Sequence, residues 1–405
     1  MFLIEDFVVY YMYERKHFTL HRKAKDMSIV NRAIKYRLYP TKEQEIFFAK
    51  KFGCVRKVYN LMLSDKIASY QNTGEPCKVT PAMYKEKYPF LKEVDSLALA
   101  NAWMNLQAAF SNFFGRKRKK KSGFPKFKSF KRSKRAYTTN NKNGTIAILE
   151  DSIKLPKIKA VKAEIHRMPD EKWILKSATI SQDRDGKYYA SVLFAFEEEK
   201  PVYKIDTNNA IGLDYASDGL YVDSNGNVGT SHKYYRESHA KLAKAQRRLS
   251  RMKGSKKNEK KSSNYMKQLH KVNKIHRHIA NQRKDNLHKL STEIANRYDV
   301  VCVEDLNMKA MSNKGFGNGK ATMDNGYGSF VSMLDYKLNE RGKYFIKVDK
   351  WYPSSQLCHA CGTLHPEMKD LKIRTMRCDC GLVIGRDQNA AINILNEGLR
   401  ILAAQ

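Results

Sequence analysis

A mixed α/β chain of several modules is the fold class that this sequence predicts. Three observations carry the expectation. Two early stretches space their apolar residues as helices do. Residues 137–196 alternate apolar and polar in short runs punctuated by Gly144, Pro156 and Gly186. The second half mixes buried strand-like runs with long basic helices. At 405 residues the chain has room for about two to four domains, each able to bury a core.

Charge narrows the function. Lys and Arg number 76 against 41 Asp and Glu, a formal net charge of +35. Yet 42% of residues are hydrophobic and 11% aromatic, which excludes a disordered basic tail. Self-repulsion on that scale calls for a polyanionic partner, and nucleic acid is the first candidate. An anionic membrane is the weaker one, because no run of about 18 apolar residues exists. Near the start, Glu5 and Asp6 stand where a signal peptide needs positive charge, and no small-residue cleavage site follows. Residues 1–27 therefore read as an extension, with Met27 the more natural first residue. Seven cysteines, four of them clustered, fit a reducing cytosol and a metal site better than disulfides.

Taken in order, residues 32–39 alternate as a strand closed by Pro40, and Thr41 is the N-cap of a following helix. Residues 96–114 form a second helix. Residues 115–135 hold twelve Lys or Arg and no acid, interleaved with Phe124, Phe127 and Phe130. Such a run tracks a phosphate backbone and offers rings for stacking. The alternating runs of 137–196 make an antiparallel sheet or small barrel. Residues 210–222 read as strand, tight turn and strand. A basic helical hairpin spans 236–297, broken at GSKKNEKKSS; seventeen Lys or Arg lie between Lys241 and Lys289 against two acids. Residues 299–306 are a buried strand and 311–328 a flexible Gly/Asn loop. A helix over 330–341, a strand over 343–349 and a final helix over 388–404 complete the pattern.

Two constellations carry chemistry. Cys358-x2-Cys361-x16-Cys378-x-Cys380 has the spacing of a structural zinc ribbon, each pair on a tight turn followed by Gly362 or Gly381. Four thiolates leave no open position, so one zinc here would be structural; His359 and His365 are the nearest substitutes. Separately, Asp214 lies in a strand, Glu304 ends another, and Asp387 precedes the last helix. Singly these are a turn residue, a strand-end charge and a helix cap. Together they match a ribonuclease-H-like sheet whose three carboxylates hold a pair of hard divalent cations.

These residues make the chain similar to the TnpB family, the RNA-guided nucleases of insertion-sequence transposons. The resemblance runs from about Asn31 to Leu402 and includes RAIKYRLYPTKEQ, IGLDYASDGLYV, VVCVEDLNMKAM, KVDKWYPSSQLC and RDQNAAINILNEGLR. It implies that Asp214, Glu304 and Asp387 are the three RuvC acids holding two Mg ions, with Mn as a substitute. It also selects Glu304 over Asp305 and sets Arg374 beside the zinc module as a backbone or transition-state contact. Two features depart from the family: Cys-x-Cys replaces the commoner Cys-x-x-Cys, and Gly385 stands where relatives commonly have Asp.

The implied modules are a β-barrel wedge (28–40 and 136–204), an inserted helical recognition module (41–135), a RuvC-like nuclease (205–350 and 382–405) and a zinc ribbon (351–381). The implied partners are a guide RNA from the transposon end and double-stranded target DNA, met in the bacterial cytosol or nucleoid. Nucleic-acid contacts are expected from Lys117, Arg118, Lys119 and Lys120, from Tyr137, Thr138 and Thr139, and from Lys244, Arg247, Arg248 and Arg251. Two rivals stand beside the nuclease reading. A conventional transposase orders its acids Asp, Asp, Glu, unlike the order here. A cleavage-inactive RNA-guided repressor loses one or more acids, and here all three remain. His276 and His278 sit in a basic helix and make a poor metal pair for a Tyr-type transposase.

Overall fold

The computed structural model describes residues 27–115, 122–131, 133–199, 205–230, 232–256, 259–313 and 319–404. They form two compact units that divide at Glu198.

In the first unit a seven-stranded sheet carries two long helices. Its strands are β1 (Met27–Leu38), β2 (Arg135–Asn140), β3 (Ala147–Ile148), β4 (Ser152–Leu155), β5 (Ile158–Glu164), β6 (Ile174–Gln182) and β7 (Tyr188–Glu199), in the order β2-β6-β7-β1-β5-β4-β3. The pairs β2–β6, β6–β7, β1–β5, β5–β4 and β4–β3 are antiparallel. The first strand starts at Met27, earlier than the alternation of 32–39 predicts.

Helix α1 (Lys42–Thr73) starts as predicted at Thr41, whose hydroxyl accepts from Gln44 N–H while the Gln44 side chain accepts from Thr41 N–H. Gly74 ends it in the left-handed region (φ 72°), where a side chain would be strained. Helix α2 (Ser96–Phe114) is capped by Asp95, which accepts from Leu97 and Ala98 N–H. Both helices share one hydrophobic core with the sheet, including Phe48, Val58, Met62, Leu99, Ala102, Tyr36 and Phe194. The helical segment expected as a separate insert is thus packed into the same unit as the strands.

The second unit is built on a five-stranded sheet. Its strands are β8 (Ala210–Tyr215), β9 (Tyr221–Asp223), β10 (Val228–Gly229), β11 (Val300–Glu304) and β12 (Tyr344–Val348), ordered β10-β9-β8-β11-β12. β8, β11 and β12 run parallel, while β9 returns antiparallel to β8. Helices α3 (Tyr234–Ser250) and α4 (Ser263–Arg297) form the predicted hairpin, closed by Leu242, Val272 and Ile279 with half-buried Leu249 and Ile275. Helix α5 (Tyr327–Glu340) and the end of α4 cover one sheet face through Leu287, Ile294, Phe330 and Leu334. Helix α6 (Arg386–Ala403) covers the other through Ile394, Leu395 and Leu399.

The stretch 311–328, expected as a loop, contains a helix over Gly319–Asn325. Its polar residues are anchors rather than loop formers. Asp324 accepts from the N–H groups of Tyr235 and Arg236, capping α3, whose own Lys233 offers no cap. Asn325 donates to the carbonyls of Ser217 and Gly219 in the turn between β8 and β9.

Candidate functional site: carboxylates at one sheet edge and a cysteine tetrad

The parity of two strands brings the acids together. In β8, Ile211 and Leu213 face the α5 side, while Gly212 lies against α6. In β11, Val301 and Val303 face α5, while Val300 and Cys302 face α6. Side chains alternate along a strand, so Asp214 and Glu304 both fall on the α6 face. The ladder pairs Leu213 with Val303 and Val348 with Glu304, which sets the two carboxylates at one level, at the carboxyl ends of parallel strands. Asp387 arrives on α6 itself. It lies in the first turn, with Gly385 at the N-cap position, and not before the helix as the sequence suggested. Asp305 points away from this face; it is exposed and 3.9 Å from Lys347.

The carboxylates sense one another. Burial, then Glu304, then Asp387 hold the Asp214 carboxyl well above the usual range, while the Tyr215 N–H and Arg386 pull the other way. Burial, then Asp349, pushes Glu304 up to about 7. Asp349, Arg386 and Tyr327 are site neighbours that the sequence reading missed. Asp349 had a signal: it follows β12 as Asp214 and Glu304 end their own strands. The Tyr327 phenol is buried without a hydrogen-bond partner among the described residues, and its pKa is raised by burial and by both acids. Arg374 does reach the site, with Nη1 3.7 Å from Asp387 Oδ2.

Among the described residues, only the cysteine tetrad has all its candidate ligand atoms within 4.8 Å of one another. The three acids spread wider. Two cations about 3.5–4 Å apart, each reaching about 2–2.5 Å to oxygen, accept ligands as far apart as about 8 Å. An oxygen-only set in which burial, then neighbouring carboxylates, raise Asp214 and Glu304 fits hard divalent cations.

The tetrad fits zinc. Cys358 and Cys380 sulfurs are 3.7 Å apart, and Cys361 and Cys378 sulfurs 3.5 Å. A tetrahedron with Zn–S of about 2.3 Å has edges of about 3.8 Å. Both turns are built as predicted. Gly362 N–H donates to Cys358 O and Gly381 N–H to Cys378 O, with the glycines at φ 75° and 91°. The shorter Cys-x-Cys pair is accommodated between strands β13 (Thr375–Arg377) and β14 (Val383–Gly385). Thr363 draws the Cys361 thiol down to about 6. His359 turns instead to Asn389, with Nδ1 3.0 Å from its Oδ1. Asn389 and Asn393 of α6 both donate to Leu357 O at 2.7 Å, and Asn393 also to Ser354 O, fastening the cysteine module to the Asp387 helix.

Of the expected nucleic-acid contacts, Lys244, Arg247, Arg248 and Arg251 stand exposed along α3 and just beyond it. Lys117, Arg118, Lys119 and Lys120 lie outside the described residues. Tyr137 and Thr139 are turned into the core by the alternation of β2, Tyr137 against Phe48 and Phe52, Thr139 donating to Asp95. That corrects two of the three expected contacts there. Thr138 is half-buried; it lines a cavity of about 500 Å³ with Arg56, Asn101 and Asn105, and Tyr137 also borders that cavity. His276 and His278 are exposed on α4. Among the described residues, no helix is long and apolar enough to cross a membrane.

The fold resembles that of the chain in "Cryo-EM structure of the Cas12f1-sgRNA-target DNA complex", with a TM-score of 0.52 at 13% identity, covering 91% of this chain and 99% of that one. Family descriptions match in three places: "Helix-turn-helix domain" at 27–75, "Probable transposase" of the OrfB IS605 type at 193–315, and "Cas12f1-like, TNB domain" at 327–394. A Streptomyces pristinaespiralis protein named as a candidate RNA-guided DNA endonuclease is 35% identical, over 92% of this chain and 90% of that protein. The Escherichia coli K12 protein InsQ, named in the same way, is 28% identical over 92% and 93%. The chain belongs to the TnpB family of IS605 OrfB-type proteins.

Proposed function

We propose that this protein is an RNA-guided DNA endonuclease of an IS605-type transposon, hydrolysing phosphodiester bonds at Asp214, Glu304 and Asp387. One observation carries the reading: three carboxylates, distant in sequence, converge on one sheet edge of a chain with net charge +35. The order of the five strands, β10-β9-β8-β11-β12 with only β9 antiparallel to the rest, supports a RuvC-like, ribonuclease-H-type nuclease over 205–350 and 382–405. The zinc ribbon would be 351–381, with the wedge and recognition modules in 28–204.

Asp214, Glu304 and Asp387 would hold two Mg or Mn ions, which when bound activate water and neutralise charge on the phosphate. The protein's own part is positional. The α6 face sets Asp214 and Glu304 side by side, partly enclosed, so their need for a counter-charge is met by a cation rather than by bulk water. Arg374, exposed beside Asp387, can bond a phosphate oxygen without leaving it. Lys244, Arg247, Arg248 and Arg251 neutralise backbone phosphates along the exposed face of α3. Sequence would be read by base pairing with a guide RNA, and the protein would read a short flanking motif and the heteroduplex shape. Cys358, Cys361, Cys378 and Cys380 would hold one structural zinc. The site of action would be the bacterial cytosol or nucleoid.

The test is plasmid cleavage by the purified protein–RNA complex with Mg. Asp214→Ala, Glu304→Ala and Asp387→Ala should each abolish cleavage and leave RNA and DNA affinity near wild type, while Asp305→Ala should cleave. An inactive Asp305→Ala beside an active Asp387→Ala would overturn the assignment. Binding without cleavage by the wild type would favour the repressor reading.

A further inference from the structure

Trp351 is exposed at 80% of its surface, the largest exposure among the large hydrophobic side chains that the structure leaves on the outside. It is not loose. The turn after β12 is locked by Trp351 N–H donating to Asp349 Oδ1 at 2.8 Å and by Tyr352 N–H donating to Asp349 O at 3.0 Å. The next residue, Tyr352, is half-buried in the α6 core. The turn therefore fixes one aromatic inward and presents the other outward. Lys350 Nζ lies 4.6 Å from the indole centroid, covering one face and leaving the other open.

Its place in the fold is specific. β12 pairs with β11 so that Val348 stands opposite Glu304, and Trp351 follows three residues later. The indole thus extends the same edge, the carboxyl ends of the parallel strands, where α/β sheets bind their ligands. Asp349, which anchors its turn, is close enough to shift Glu304. Lys347 and Lys350 add exposed positive charge on either side of Asp349. A rigid aromatic plane with a cation against it, beside acids that cut a phosphodiester, matches one ligand class.

We propose that Trp351 stacks on an unpaired base of the DNA strand led to the carboxylates, with Lys350 near its phosphate. Paired bases inside a duplex offer no free face, so this platform selects single-stranded DNA. The assignment deepens the nuclease reading and rests on it.

Fluorescence tests it directly, because of the chain's three tryptophans Trp103 and Trp173 are half-buried against the first unit's core and Trp351 is not. The protein–RNA complex, prepared with zinc and without added Mg or Mn, is titrated with oligo-dT and, separately, with a blunt duplex of unrelated sequence. Stacking should quench the part of the emission that Trp351→Phe removes. Trp351→Ala should weaken oligo-dT binding about tenfold and leave duplex binding unchanged, and Trp351→Phe should restore most of the loss. Unquenched Trp351 emission, unchanged oligo-dT affinity, or equal losses for oligo-dT and duplex would each overturn the proposal. These readouts need no cleavage. A wild type that fails to cut plasmid would count against the nuclease reading, while quenching would still decide the stacking.

Discussion

Gly212→Ala tests how α6 delivers Asp387 to the sheet. A methyl group at Gly212 would lie 2.1 Å from Ala391 O and 2.9 Å from Leu395 Cβ. Ordinary contact begins near 3.4 Å, so helix or strand must yield by 3.4 − 2.1, about 1.3 Å. Ala391 is about one turn beyond Asp387, and Gly212 is two residues before Asp214, so the shift falls between two of the three acids. Overpacking of this kind costs about 1–3 kcal/mol, or a melting temperature lower by about 2–12 °C in a unit of this size. A misplacement of about 1 Å costs about a hundredfold in rate. The assay pairs a thermal melt with single-turnover plasmid cleavage by the RNA-loaded variant. Two controls bracket it. At Gly385 an added methyl meets nothing within 4 Å, so Gly385→Ala should change neither readout much. At Gly398 it would lie 2.3 Å from Cys302 Sγ, so Gly398→Ala should lower the melting temperature comparably but slow cleavage less, being far from Asp387 along the helix. Cleavage by Gly212→Ala within about twofold of wild type would refute the reasoning.

The acids and the cysteine tetrad each lead to a further expected outcome. Glu304 titrates near 7 in the folded protein against 4.5 ordinarily, so between those values the folded state binds more protons than the unfolded. The metal-free protein should therefore lose stability as pH rises through that window. Mg or Mn binds the deprotonated acids and should restore it, with a melting shift that is small near pH 5 and complete above about pH 7; a shift independent of pH would contradict this. Cys358→Ser or Cys361→Ser should release zinc and destabilise the second unit, measured by metal analysis and melting, because thiolate–zinc energy is folding energy. Fresh, reduced wild type without zinc would remove that expectation.

Much of this was legible because local patterns carry it. Thr41 and Gln44 spell a capping box, the run 96–114 is a helix to the residue, and Cys-x2-Cys with glycines behind each pair spells the knuckles. Strand parity, once β11 is placed, separates Glu304 from Asp305. What was not legible depends on partners far along the chain. Asp324 and Asn325 read as loop formers, yet they fix α3 and the β8–β9 turn over about a hundred residues. Tyr137 and Thr139 looked available beside a basic run, and only the pairing of β2 with β6 and its packing on α1 turn them inward. Trp351 carried no signal of exposure, since a tryptophan between Lys350 and Tyr352 reads equally well as core.

The unmatched Gly385 is best understood through α6 as a whole. A helix whose first turn carries one of the three converging acids needs its start held, and Gly385 supplies no side-chain cap. Other contacts take over that task. Arg386 N–H donates to Arg374 O, Asn389 and Asn393 tie the next turns to the carbonyls beneath Cys358, and Gly212 lets the backbone of Ala391 rest on β8. With the helix start fixed from both sides, an aspartate at 385 adds little to its placement. Its gain as a cap over glycine is a few tenths of a kcal/mol. It would also add a further negative group to a cluster that already holds Asp214, Glu304, Asp349 and Asp387. Gly385→Asp should therefore shift the melting temperature only slightly and change cleavage chiefly through metal demand, lowering the Mg concentration for half-maximal rate. A cleavage rate raised severalfold at saturating Mg, with the half-maximal concentration unchanged, would mean that residue 385 acts on the reacting phosphate and not through the cations.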